Sequence, residues 1–199
     1  CKQYPDGNYK PIGAIQKYSN QLRLAAFGYM PQSKNNSANG ATFGGVLRAP
    51  MKYVGIKTYD INGQDNTPST GNPNAEWDAN TGVFKKNPES DSIGNSGVIN
   101  YLNKFGRTGA TQGLYKYYDP LGELYYETLR YLQGLQPTSA AITGITSTMK
   151  DGFPVQLTWS DPYGGGRTPS TDYSCLKSNI VVIGDVNIDS RGSNRYPNT

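Results

Sequence analysis

The clearest periodic pattern in the chain is an apolar stripe along residues 120–133, at the spacing of one α-helical face. The stripe comprises Leu121, Leu124, Tyr125, Thr128, Leu129 and Leu132. Asp119 is a natural N-cap, Pro120 suits the first turn and Gly134 suits the C-terminal stop. The pattern therefore predicts a helix over 120–133 whose stripe faces a core.

Two shorter segments also have helical spacing. Residues 11–20 begin with Pro11, which is favoured in a first helical turn. Residues 98–105 place apolar side chains on one face, with Ser96 as a candidate cap and Gly106 as a candidate stop. Each segment predicts one short helix.

Alternating and β-branched segments predict strands. Residues 22–29 alternate, and residues 45–54 return after a polar loop at 31–42, which is typical of a hairpin. Residues 180–183 form a continuous β-branched run, which suits a central strand covered by helices on both faces. The order helix, strand, strand, helix, strand predicts an open α/β sheet.

Two long stretches show no periodicity. Residues 56–95 are rich in Asn, Gly, Pro, Thr and Asp, and residues 135–174 are rich in small and polar residues, with Trp159 as an expected anchor. A chain of 199 residues suits one domain better than two. We therefore predict a single domain over 1–199, with an insertion at 56–95 and a loop at 135–174.

The composition favours a protein outside the cytoplasm. Only 17% of residues are charged, while the chain has 24 Gly, 13 Pro and 16 Tyr, which indicates a loop-rich, uncharged polar surface. The net charge of +4 is scattered, unlike the clustered charge of nucleic-acid-binding proteins, and no segment has the apolar length of a membrane helix. The chain begins with Cys1 and ends without a closing element, so we expect both termini to be cuts in a longer protein.

The candidate chemistry is limited because the chain has no histidine. That composition excludes Ser/His/Asp and Cys/His nucleophiles and histidine-based zinc sites. Asp119, before the best helix, and Asp185, after the run at 180–183, can reach one rim of an α/β sheet and bind Mg²⁺ or Ca²⁺ there. Their structural alternatives are an N-cap and a turn residue.

Two further acidic patterns have structural alternatives. Residues 60–65 contain Asp60, Asn62 and Asp65 but lack the glutamate that closes a calcium loop, so an ordinary turn is the stronger interpretation. Glu123 and Glu127 lie one helical turn apart, as a glycosidase pair or as a solvated flank. Exposed tyrosines could mark a carbohydrate or protein surface, and half-buried packing is the alternative.

The chain has two cysteines, Cys1 and Cys175. In an oxidising compartment they can pair with each other. Because Cys1 lies at an expected cut, an upstream cysteine is an alternative partner.

Several strings together resemble the N-terminal region of the PilY/PilC family of type IV pilus tip proteins. The most specific are YDPLGELYYETLRYL at 118–132 and Cys175 followed by IVVIGDVN at 180–187, and YPDGNYKPIG at 4–13 and EWDANTGVF at 76–84 add to them. The resemblance implies a von Willebrand factor A-like fold: an open sheet flanked by helices, with long loop insertions and an incomplete N-terminus. It also implies a metal site in which Asp185 matches one ligand, Asp119 stands where the family pattern has threonine, and the Asp-x-Ser-x-Ser element is absent.

We therefore expect a non-enzymatic surface module of a type IV pilus tip protein, located at the pilus tip or outer membrane. The resemblance implies a role in pilus assembly, adhesion and twitching motility, with minor pilins, other tip components or a host receptor as partners. No cofactor is expected in this chain, and Mg²⁺ or Ca²⁺ is expected only in the full-length protein. The alternatives are an extracellular carbohydrate-active enzyme or sugar-binding module, and a scaffold without a ligand.

Overall fold

The computed structural model describes residues 1–30, 45–60, 62–105, 107, 121–164 and 177–183. Its elements, in chain order, are β1 (Lys2–Gln3), β2 (Tyr9–Lys10), α1 (Ala14–Lys17), β3 (Arg23–Gly28), β4 (Val46–Tyr53), α2 (Val98–Lys104), α3 (Leu121–Leu132), α4 (Ser139–Ile142) and α5 (Ser147–Lys150). The chain therefore has the mixed α/β composition that its sequence predicts. The helix expected over 11–20 is shorter than predicted and is limited to α1.

The central element is the predicted hairpin, in which β3 pairs antiparallel with β4. Leu24 pairs with Lys52, Ala26 with Ala49, and Phe27 with Leu47. Between the first and second of these pairs, and again between the second and third, β4 advances by one more residue than β3. Strand β4 therefore carries two bulges. Pro50 lies in the first bulge, a position that tolerates proline because the ladder is interrupted there.

The two faces of this hairpin are covered by different helices. On one face the strands contact α2, and on the other they contact α3 and Trp159. The first cluster contains Leu24, Ala26, Ala49, Val98, Ile99 and Tyr101, and the second contains Ala25, Phe27, Leu47, Met51, Tyr131 and Trp159. Since each bulge shifts the alternation of β4, Leu47 and Ala49 belong to different clusters. The resulting order of layers is helix, sheet, helix.

Helix α3 has the predicted extent but not the predicted orientation. It ends as expected, with Gly134 at a φ of 73° and the Leu135 N–H bonded to the Arg130 carbonyl. Its buried residues are Glu127 and Tyr131, whereas Leu121 and Tyr125 of the predicted stripe are 42% and 47% exposed. The prediction of the buried face was wrong because a glutamate and a tyrosine, each with a polar partner, occupy it.

Helix α2 begins differently from the prediction. The cap is not Ser96, whose hydroxyl bonds instead to Asn87 and to the Glu89 N–H. The buried Glu76 carboxylate accepts the Val98 and Ile99 N–H groups, both at 2.7 Å. The Lys52 ammonium group pairs with this carboxylate at 3.2 Å and with the Glu89 carboxylate at 2.7 Å. Gly97 has a φ of 90°, and a Cβ there would lie 3.0 Å from Glu76 Oε1, so glycine is required.

The predicted central strand at 180–183 is not present. These residues have no regular structure, and Val181 and Ile183 are 84% and 81% exposed. A β-branched run becomes a strand only where a neighbour accepts its hydrogen bonds, and no described strand lies beside it. Within the described ranges both sheets have two strands, and no von Willebrand factor A-like open sheet is formed.

The predicted loop at 135–174 is partly ordered by buried contacts. It contains α4 and α5, and Trp159 is buried against Phe27 and Tyr131, as expected of an anchor. Arg48 of β4 is buried, and its guanidinium donates to the carbonyls of Tyr29, Met149 and Lys150. Burial lowers the pKa of Arg48. This side chain fixes the end of α5 to the hairpin.

Candidate binding groove

A groove of about 330 Å³ opens between the N-terminal hairpin β1–β2, helix α1 and the chain after β4. A volume of this size is at the lower end of ligand sites. The groove is lined by Lys2, Tyr4, Ile12, Gln16, Lys17, Ser19, Asn20, Ile56, Lys57, Tyr59 and Trp77. The lining therefore contains three lysines and no carboxylate.

The Tyr4 side of the groove is set by a tight turn. Across this turn the Tyr4 N–H donates to the Asn8 carbonyl at 3.0 Å, and the Gly7 N–H donates to the Tyr4 carbonyl at 2.9 Å. Asp6 accepts the Asn8 N–H and side-chain amide, and these bonds lower the pKa of Asp6. The Tyr4 ring packs on Gly82, where a Cβ would lie 2.3 Å from the ring. The hairpin is thus fixed before any ligand binds.

The Trp77 side is held by a second turn. The Asp78 carboxylate accepts the N–H groups of Asn80 and Thr81 at 2.9 and 2.8 Å, and these bonds lower its pKa, with Thr81 making the larger contribution. Trp77 then bridges to Phe84, with their rings in an edge-to-face contact. Trp77 is buried in the cluster beneath α2, so the groove floor is continuous with the core.

The charges of the groove differ in how they are compensated. Lys57 pairs with Asp65 at 2.7 Å; this raises the pKa of Lys57 and holds the pKa of Asp65 well below its usual range. Lys2 and Lys17 instead lie over the rings of Tyr4 and Tyr18, each at 5.1 Å from the ring centroid. Neither has a carboxylate partner among the described residues. The groove therefore has a net positive rim.

Apolar side chains complete the rim. Ile12 and Ile56 are 40% and 38% exposed beside the lysines. The Gln16 side chain accepts the Gly13 N–H and donates to the Tyr4 hydroxyl, whereas Asn20 is exposed. The groove can therefore contact a ligand that has both negative and apolar groups.

The metal residues expected from the sequence, Asp119 and Asp185, lie outside the described residues. The structure does describe the acidic loop at 60–65, where Asp60 accepts the Asn62 and Gln64 N–H groups and Asp65 binds Lys57. This geometry is an ordinary turn, as the sequence favoured. In the described parts of the chain, no cluster of three or more acidic or cysteine side chains could hold a metal ion.

The glutamate pair does not form a catalytic site. Glu127 is fully buried and accepts the Thr138 hydroxyl at 2.5 Å and the Thr138 N–H at 3.2 Å. It is therefore not part of a solvated flank of the helix, which was the structural alternative. A carboxylate buried in this way cannot reach a polysaccharide. Tyr125 and Tyr126 of the same helix are exposed, whereas Tyr131 is buried.

The cysteine prediction remains untested. Cys1 is exposed with a free thiol, and Cys175 lies outside the described residues. Pairing of Cys175 with Cys1 or with an upstream cysteine stays a prediction.

Sequence reasoning missed the groove. Its lysines and aromatics come from four separated segments, and no local spacing links them. The only local signal was Asp6-Gly7, a turn dipeptide that indicates a hairpin.

Comparison with known proteins identifies the family. Residues 27–195 match the domain family described as PilY1 homolog, second domain. The chain is 38% identical to the type IV pilus biogenesis factor PilY1 homolog of Xylella fastidiosa strain Temecula1, over 93% of this chain and 15% of that relative. The chain thus spans a small part of its relative.

No solved structure matches the chain. Among the helices that the structure describes, none has the length and apolarity to cross a membrane. Given the family match and the identity across nearly the whole chain, the chain belongs to the PilY1 homologue family, and its residues 27–195 correspond to the domain described as the second.

Proposed function

We propose that this chain is a non-catalytic binding module of a type IV pilus tip protein, acting in pilus assembly, adhesion and twitching motility. The observation that carries the proposal is the preformed groove with Lys2 and Lys17 at its rim, in a domain whose relative is a pilus biogenesis factor. Complementary charge steers association and selects partners. The partners we propose are minor pilins or other tip components, with a host surface receptor as a further partner at the cell exterior.

The experiment is complementation of a strain that lacks the native gene. One allele encodes the native protein and another lacks only the segment corresponding to residues 1–164. We expect the second allele to give fewer surface pili, weaker attachment and smaller twitching zones, at equal protein level by immunoblot. Unchanged pili, attachment and twitching at equal protein level would contradict the proposal.

We propose, further, that the hairpin β3–β4 belongs to a von Willebrand factor A-like sheet in the longer protein. Support comes from the helices on both of its faces, since this covering is typical of sheets in α/β folds, which often include an antiparallel strand at an edge. In that fold, residues 180–183 gain a neighbouring strand, and Asp185 and Asp119 reach a shared rim with upstream ligands. Two carboxylates alone fall short of the six or more oxygens that Ca²⁺ takes. Calorimetry with Mg²⁺ and Ca²⁺ should therefore show that the native protein binds the cation and that Asp185→Ala abolishes this binding. Equal binding by the variant would show that Asp185 is not a metal ligand.

A further inference from the structure

We propose that the groove binds an acidic peptide segment in which a carboxylate side chain lies next to an apolar one. This inference rests on the proposed function, because it gives the chemistry of the segment that a pilus partner presents. It concerns the groove defined above, and chiefly the side chains of Lys2, Lys17, Ile12 and Ile56.

The sign of the ligand charge follows from the lysines. Lys57 is already paired with Asp65, so its ammonium group is compensated. Lys2 and Lys17 contact tyrosine rings, which attract a cation less strongly than a carboxylate does. A ligand carboxylate can therefore approach both ammonium groups without displacing a protein carboxylate from either.

The apolar part of the ligand follows from the isoleucines. Ile12 and Ile56 each expose more than a third of their surface at the same groove, beside the cations. A ligand side chain placed between them removes apolar surface from water on both partners. A simple inorganic anion cannot make this contact, so the lining selects an anion that is joined to an apolar group.

The aromatic residues distinguish a peptide from an anionic glycan. Sugar rings stack on open aromatic faces, but Tyr4 and Trp77 are buried, and Lys2 lies over the Tyr4 ring. Tyr59, the third aromatic residue of the lining, is half-buried and packs edge-to-face with Tyr53. Asn20 is exposed at the rim, and its amide can both donate to and accept from a peptide backbone. A peptide with an apolar side chain is the occupant that the lining favours, because Ile12 and Ile56 offer apolar surface and the buried aromatic rings offer no open face to a sugar.

The binding experiment uses the native protein and a fluorescein-labelled peptide of sequence Gly-Ser-Asp-Ile-Asp-Ser-Gly, followed by fluorescence anisotropy. Binding should weaken as NaCl is raised, because the rim charges are screened. The double variant Lys2→Glu/Lys17→Glu should bind at least about tenfold more weakly. Lys86→Glu is the control, since it reverses one exposed lysine outside the groove, against two in the double variant, and should leave binding unchanged.

Three results would overturn the inference. The first is failure of the peptide to bind the native protein at low salt. The second is a loss of binding in Lys86→Glu that is as large, per reversed charge, as the loss in the double groove variant, which indicates a general charge attraction. The third is binding of an oligogalacturonate that depends on Lys2 and Lys17 while the peptide does not bind, which makes the groove a glycan site. Near-UV circular dichroism checks that each variant is folded.

The cellular arm separates this inference from the proposed function. The allele with Lys2→Glu/Lys17→Glu should reduce surface pili or attachment relative to Lys86→Glu. If the groove variant assembles and attaches normally while the segment deletion does not, the groove inference fails and the pilus function stands. If the deletion is also without effect, the pilus function fails, and the anisotropy measurement still decides whether the groove binds the peptide.

Discussion

The Glu76 carboxylate should stabilise this fold more than its local sequence indicates. It is buried, it accepts two N–H groups at the start of α2, and it contacts Lys52. A buried hydrogen bond to a charged group contributes about 1.5–3 kcal/mol, and a negative charge at a helix N-terminus adds about 0.3–1 kcal/mol. Two charge-assisted hydrogen bonds, the interaction with the helix N-terminus and the contact with Lys52 therefore all depend on this one side chain.

The perturbation is Glu76→Gln, which keeps the size of the side chain. An amide has one acceptor oxygen, so if it faces Val98 and Lys52, its NH₂ group faces the Ile99 N–H and one donor is left unsatisfied. We expect the free energy of unfolding to fall by about 2–3 kcal/mol, and by about 3–5 kcal/mol for Glu76→Ala, which also leaves Lys52 with a single carboxylate. Urea titration followed by far-UV circular dichroism measures these changes.

The matched control is Glu89→Gln. Glu89 also pairs with Lys52, at 2.7 Å, but it does not cap α2. In Glu89→Gln the amide oxygen can still accept from Lys52, which keeps Glu76 as its counter-ion, so the change should cost less than about 1 kcal/mol. Hydrogen exchange at the Val98 and Ile99 amides should accelerate in Glu76→Gln and not in Glu89→Gln. Equal destabilisation by the two variants would refute the reasoning, because the ion pair rather than the cap would then carry the effect.

Three further outcomes are expected. Glu127→Leu should lower the free energy of unfolding by about 1–3 kcal/mol, because the Thr138 hydroxyl and N–H lose their acceptor, and Glu127→Gln should cost less in the same urea titration. Tyr131→Phe should cost about 1–2 kcal/mol, because the Met51 N–H loses the phenol oxygen at 2.9 Å. Burial raises the pKa of Tyr131 in the folded protein. The stabilisation by Tyr131 is therefore complete below the ordinary tyrosine pKa of about 10 and declines as the pH rises above it. The urea midpoint should decline less over this pH range in Tyr131→Phe than in the native protein. Cys175 should be oxidised in the native protein, and intact-mass analysis under non-reducing conditions that finds a free thiol there would contradict this.

Local pattern determined the elements whose signals lie within a few residues. The hairpin β3–β4 followed from alternation around a polar loop, and the extent of α3 followed from an apolar repeat that ends at Gly134. These predictions held because hydrophobic period and stop residues act within one or two turns of the chain. Trp159 was also expected as an anchor, because a large aromatic residue in a polar loop is stabilised by burial.

Tertiary contacts decided what the pattern could not. The buried face of α3 depends on Thr138 satisfying Glu127, and the start of α2 depends on Glu76, which lies 22 residues before Val98. Residues 180–183 have the composition of a central strand, but a strand needs a neighbour, and composition does not supply one. The groove likewise brings together Lys2, Lys17, Ile56 and Trp77 from separate segments. Sequence alone thus determined the local elements, whereas burial of polar groups, strand partners and the assembly of a binding surface depend on contacts between distant residues.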